Sequence, residues 1–274
     1  MLDVASPLAL DRRAFVGARR TLVVGVLASV AAIAGAEALV AFGDLVAGLI
    51  LHAVVLLALV SCYSAAGQAA PGERSQTEPA FLALALVPLM RIASLVGSFP
   101  EVSRMLWPVF AGIPVLAGSI LVARVDGMRG ALAWPVRASW RVQASAVAAA
   151  VPLSLLGYGL LHPDPLVRHA AWTRFAAAAA VLVVFTGVLE EVVFRGLLQH
   201  SLTLIVPRSA PLFTNVLFSA AFLGTRSVTF VGFAAVVGLL ASAVVVRTRS
   251  LAGVSIGHGF LNVGLLLIWP SVFA

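Results

Sequence analysis

The sequence contains no lysine and a single cysteine, Cys62. One thiol can form neither an intrachain disulfide nor a thiolate metal cluster. Cys62 sits in an apolar run and is expected to be a small core residue. Charge is also scarce: 11% of the 274 residues are charged, against 61% hydrophobic. A soluble domain carries about a quarter charged residues. With a mean hydropathy of +1.07, the apolar surplus calls for a bilayer as its solvent rather than an aqueous interior. The formal charge of +7 comes from 18 basic residues, all arginine. They form no basic stripe with interleaved aromatics, so no nucleic-acid partner is expected, and their role is read as setting membrane orientation. No cleavable leader is expected, because the stretch after Arg12, Arg13, Arg19 and Arg20 is too long for one and lacks a small-residue cleavage site. There is no 20–50-residue repeat and no sizeable soluble domain.

What the chain does have is a series of runs of about 20 apolar residues, each enough to cross the hydrocarbon core as a helix. Spans are predicted near 22–42, 45–63, 80–97, 105–123, 142–161, 175–205, 211–223, 228–246 and 252–270. The short 211–223 segment leaves the count at eight to nine. The predicted fold is an all-α polytopic transmembrane bundle. It divides into a cytoplasmic N-terminal segment (1–20), N-terminal spans (21–174) and a site-bearing bundle (175–270). With the N-terminus inside, twelve loop arginines fall on the inner side and four on the outer, which favours nine spans. The expected location is a prokaryotic-type plasma membrane with the N-terminus cytoplasmic. The stretches Ala146–Ala150 and Ala176–Ala180 are read as close-packing helix surfaces.

Ionisable residues within spans are rare and usually face a cavity or a partner. Here they are Glu37, His52, Arg91, Glu190, Glu191, Arg195 and His258, joined by the polar Asn262. Glu37 and Arg91 can meet as an ion pair across the bundle, with substrate handling as the alternative. His52 reads as a packing histidine. Glu191 and Arg195 are four apart, so one helix face can carry a compensated pair. Glu190 points about 100° away with no compensating charge nearby in sequence, the setting of a general base. The bland alternative is an internal salt bridge with a spare glutamate reaching water. His258 and Asn262 are also four apart and can present two hydrogen-bond donors to a developing oxyanion, or simply bond one helix to another. Gly257 and Gly259 flank the histidine and would let a helix or an extended peptide approach the backbone.

Glu190-Glu191-x-x-x-Arg195 followed by His258-x-x-x-Asn262 resembles the CPBP family of intramembrane proteases. This family holds the CAAX prenyl endopeptidases and the bacteriocin-processing and self-immunity proteins, also called the ABI family. The likeness covers roughly residues 175–266. It implies a glutamate-dependent endopeptidase in which Glu190 activates water, Glu191 and Arg195 support it, and His258 with Asn262 form the oxyanion hole. No cofactor or metal is expected. Some members have been described as metalloproteases, but so few metal ligands fit the glutamate mechanism better. The implied partner is a hydrophobic or lipidated peptide or protein, together with the lipid bilayer. One position departs from the family pattern: Phe222 stands where a middle-motif histidine is expected, and a phenyl ring can neither take a proton nor bind a metal. His200 is ten residues from Glu190, about 15 Å along the helix axis. Two alternatives follow: a catalytically inactive member that binds a hydrophobic peptide, lipid or membrane protein in the same cleft, and a proton-coupled transporter.

Overall fold

The computed structural model describes residues 7–66, 78–96, 105–125, 128, 140–167 and 171–273, with the side chains of the first helix described from Arg20 onward. Arg74, Arg104, Arg129, Arg137 and Arg168, which entered the orientation argument, lie outside these residues, as do the side chains of Arg12, Arg13 and Arg19.

The described residues are helical with no strand, an all-α polytopic bundle. We number its rods α1 (Pro7–Phe42), α2 (Leu45–Ala66), α3 (Pro79–Val96), α4 (Trp107–Arg124), α5 (Trp140–Leu161), α6 (Trp172–Ile205), α7 (Ala210–Ala220), α8 (Val228–Thr248) and α9 (Ala252–Phe273). Each overlaps a predicted span. Seven are long and apolar enough to cross a membrane; α3 and α7 are shorter. The sequence singled out α7 as short but not α3. The first helix, α1, runs unbroken from Pro7 through the first span. In α5 the helix breaks at Ala149, where Pro152 has no N–H to bond the Ala148 carbonyl.

The outer surface is apolar. Leu57, Leu121 and Val228 are more than half exposed, as lipid-facing residues are. Cys62 belongs to that surface, which corrects its reading as a core residue. In a bilayer, an apolar run does not imply an interior position, since lipid solvates the outward face equally well. The alanine stretches divide in the same way: Ala150 and Ala178 are buried, whereas Ala176, Ala177 and Ala180 face outward.

The interior is built around α6 and α9. Of α9's most apolar window 56% is buried and of α6's 39%, against 17–28% for the other long helices. The two approach to backbone contact. A Cβ on Gly187 would lie 2.6 Å from the Gly259 Cα, and one on Gly259 would lie 2.8 Å from the Val183 Cα. Gly257 faces another neighbour, the Ala146 carbonyl of α5, which a Cβ there would meet at 2.7 Å. The glycines flanking His258 are therefore both filled by helices rather than left open for a peptide. On the other side of α6, Val193, Phe194, Leu197 and Leu198 pack into a core shared with α1 and α3, including Ile33, Leu84 and Leu86. The turn after α7 is pinned to α1 by Arg226, whose Nε donates to the Ala41 carbonyl at 2.8 Å.

Candidate active site

Two wide π-helical turns, Leu182–Val188 and Val192–Leu198, flank Glu190 and Glu191 in α6. Such turns are uncommon and cluster at functional sites, because the extra residue re-aims the side chains around it. The two carboxylates differ sharply in environment. The Glu191 side chain is 1% exposed, whereas that of Glu190 is 23% exposed.

Glu191 is held from two sides. Arg195 Nη1 donates to its Oε1 at 2.9 Å, and His258 Nδ1 lies 2.8 Å from the same oxygen. The arginine is itself fixed: its Nη2 donates to the Gly238 carbonyl of α8 at 3.1 Å, and its guanidinium lies 4.3 Å over the Phe218 ring. Gly238 makes that reach possible, since a Cβ there would collide with Asn215 Oδ1 and crowd Arg195. The i,i+4 pair expected from the sequence is present. Its capture of His258 from another helix is not something spacing can reveal.

Bonding to an ionised carboxylate places a proton on Nδ1 of His258. Its Nε2 then faces Glu190, 4.0 Å from Oε2. One helical turn further along, Asn262 Nδ2 donates to Thr186 Oγ1 at 2.9 Å, and the Thr186 hydroxyl donates to the Leu182 carbonyl at 2.6 Å. Glu190 and Thr186 on α6 thus stand opposite His258 and Asn262 on α9. Thr186 was not singled out by sequence reasoning; its place four residues before Glu190 was the available signal.

Glu190 opens onto a cavity of about 170 Å³. Phe194, Phe218 and Phe222 form its aromatic wall, and Phe222 stacks on Phe230 with centroids 5.3 Å apart. Glu37 and Arg91 line the same cavity. They form the expected ion pair, with Arg91 Nη2 2.8 Å from Glu37 Oε2. His52 is fully buried with Nε2 3.6 Å from Glu37 Oε1, so it belongs to this polar cluster rather than packing alone. His200 does not line the cavity. Among the described residues, no group of three or more His, Cys, Asp or Glu is arranged to hold a metal ion.

Residues 171–264 match the family model described as type II CAAX prenyl endopeptidase Rce1-like. The matched segment contains Glu190, Glu191, Arg195, Phe222, His258 and Asn262, and leaves out Glu37, His52 and Arg91. It is similar, at the level of the family, to CAAX-type intramembrane proteases. Comparison with curated proteins and with solved structures gives no match.

Proposed function

We infer that the chain is an intramembrane endopeptidase that hydrolyses a hydrophobic or lipidated peptide, with Glu190 as the base that activates water. The observation that carries this reading is the contrast between the two glutamates: Glu191 is buried with Oε1 held by Arg195 and His258, while Glu190 faces both a cavity and His258 Nε2. The cavity has room for several waters.

In this mechanism Glu190 removes a proton from water as its oxygen bonds to the scissile carbonyl carbon. The carbonyl π electrons move onto oxygen, and that oxyanion meets Nε2–H of His258 (protonated on both nitrogens) and the second N–H of Asn262. Collapse re-forms the carbonyl and breaks the C–N bond. Glu190 then returns its proton to the departing amine. Glu191 and Arg195 act through His258, holding its ring with Nε2 toward the site. The bilayer setting follows from the lipid-facing surface, with a cytoplasmic N-terminus favoured by the arginine distribution of a prokaryotic-type membrane protein.

A second reading is supported by the Phe218–Phe222–Phe230 ring cluster, which makes the cleft wall apolar and suits an inactive member that binds a hydrophobic peptide. The test is turnover of quenched hydrophobic and prenylated C-terminal peptides by the full chain in detergent micelles. Wild type should exceed Glu190→Ala by roughly 10²-fold or more. Equal rates, with activity appearing only in Phe222→His, would assign the binding role instead.

A further inference from the structure

Helices that alternate in direction give the bundle two distinct ends. At one end, Arg226 in the turn after α7 bonds the Ala41 carbonyl near the end of α1. The Leu166 N–H, past the end of α5, donates to the Leu266 carbonyl of α9 at 3.0 Å, and α6 starts nearby at Trp172. At the other end, Ser201 Oγ of α6 lies 3.2 Å from Met128 Sδ, just past α4, and the Gly253 N–H donates to Gln143 Oε1 at 2.6 Å. The cavity beside Glu190 belongs to the first end. Arg91 and Ser94 line it from the last turns of α3, and Ala221 and Phe222 from the chain just past α7. Arg91 Nη2 stands 3.0 Å from where a Cβ on Gly224 would be, which ties these two helix ends together.

Burial changes along the helices in the same sense. Residues 83–88 of α3 are buried and 89–95 half-buried; residues 217–220 of α7 are buried and 221–223 half-buried. Toward the second end, Val193, Leu197, Leu198 and Leu202 of α6 are all 0% exposed and share a core with Met128. Among the described residues, the way to Glu190 from the second end is therefore filled. From the first end it is open, with the Glu190 side chain 23% and that of Arg91 15% exposed. The length of α7 accounts for this. Its 11 residues span about 16 Å, roughly half the hydrocarbon thickness, so the helix starts at the second end and stops inside the bundle.

The two ends also differ in charge. Arg20, Arg124, Arg141, Arg208, Arg247 and Arg249 stand at the closed end, and Arg174 and Arg226 at the open one. Membrane proteins keep their arginine-rich end in the cytoplasm. We propose that the Glu190 cavity opens to the extracytoplasmic face, and that its substrate is an apolar segment of an exported peptide or protein. The substrate class rests on the hydrolytic reading above; the direction of access does not. Phe194, Phe218 and Phe222 offer the entering segment an apolar wall, and water reaches Glu190 by the same mouth.

The experiment reads the mouth directly, because Cys62 is the sole cysteine and Cys62→Ser gives a thiol-free chain. In that chain, Ser94→Cys and Ala221→Cys mark the cavity, while Thr225→Cys and Pro207→Cys mark exposed turns at the open and closed ends. A small, charged, membrane-impermeant thiol reagent is applied to sealed bacterial spheroplasts. Thr225→Cys, Ser94→Cys and Ala221→Cys should label as fully as after lysis, and Pro207→Cys only after lysis. Labelling of Pro207→Cys before lysis, or of neither cavity position before lysis, overturns the proposal. An impermeant quenched apolar peptide added to sealed spheroplasts should be cleaved about 10²-fold faster with wild type than with Glu190→Ala. Turnover that appears only on lysis overturns access from outside. No turnover in detergent overturns the hydrolytic reading and the substrate class with it, while the labelling still decides which way the cavity opens.

Discussion

His258 Nδ1 lies 2.8 Å from Glu191 Oε1, although the two residues are 67 positions apart on different helices. The oxygen also takes the Arg195 guanidinium at 2.9 Å. One buried carboxylate thereby joins α6 to α9 and, through Arg195 and the Gly238 carbonyl, to α8. Glu190 takes part in no such tie. Adjacent glutamates in one helix thus divide the work: Glu191 holds the bundle together and Glu190 faces the cavity.

That division predicts unequal costs. Glu191→Gln leaves Arg195 and the His258 ring without the charge that compensates them, and breaking a buried ion pair on one side costs about 3–5 kcal/mol. Glu190→Gln disturbs a partly exposed group with no close ion pair and should leave stability within about 1 kcal/mol. Thermal unfolding in detergent should show a clear drop for Glu191→Gln and almost none for Glu190→Gln, while turnover falls in both. Equal unfolding midpoints would remove the structural role from Glu191.

The close crossing of α6 and α9 predicts a second effect. At Gly187 and Gly259 an added Cβ meets backbone atoms of the facing helix, which cannot rotate aside. Gly187→Ala and Gly259→Ala should each push the helices apart, costing about 1–3 kcal/mol and widening the gap between Glu190 and His258. Gly159→Ala and Gly232→Ala are matched controls, with nothing within 4 Å of the added methyl. Unfolding midpoints should fall for the first pair only. A site that tolerates Gly187→Ala as well as Gly159→Ala would contradict the crossing.

Much of this was legible in the sequence because the bilayer imposes a simple rule: about 20 apolar residues per crossing. The helices Leu45–Ala66 and Val228–Thr248 fall within three residues of the spans expected at 45–63 and 228–246. The Glu191–Arg195 pair was legible for an equally local reason, its i,i+4 spacing. What escaped is set by tertiary geometry. Whether Cys62 faces lipid or core depends on where neighbouring helices stand, not on its own run. The π-helical turns around Glu190 have no composition signature. Glu37 and Arg91 were recognised as a pair, but their place on the cavity that Glu190 lines requires α1 and α3 to pack against α6. Asn262 was read either as an oxyanion donor or as a bond between helices, and the fold shows one of its N–H groups joining α9 to Thr186 of α6.

That last bond yields a further prediction. Thr186 Oγ1 accepts from Asn262 Nδ2 at 2.9 Å and so fixes the direction of the second Asn262 N–H, the one available to an oxyanion. Asn262→Ala removes the donor itself and should lower kcat by about 10²–10³-fold. Thr186→Val keeps the shape of the side chain and removes only the acceptor. Asn262 then keeps its donors and loses their aim, so kcat should fall by roughly ten-fold with KM unchanged. Thr186→Ser retains the hydroxyl and should restore most of that loss. Steady-state kinetics on one peptide, with unfolding midpoints as the control, separates the cases. If Thr186→Val and Thr186→Ser behave alike, the threonine merely fills space between α6 and α9. If Val is slow and Ser is fast, the hydroxyl aims the asparagine.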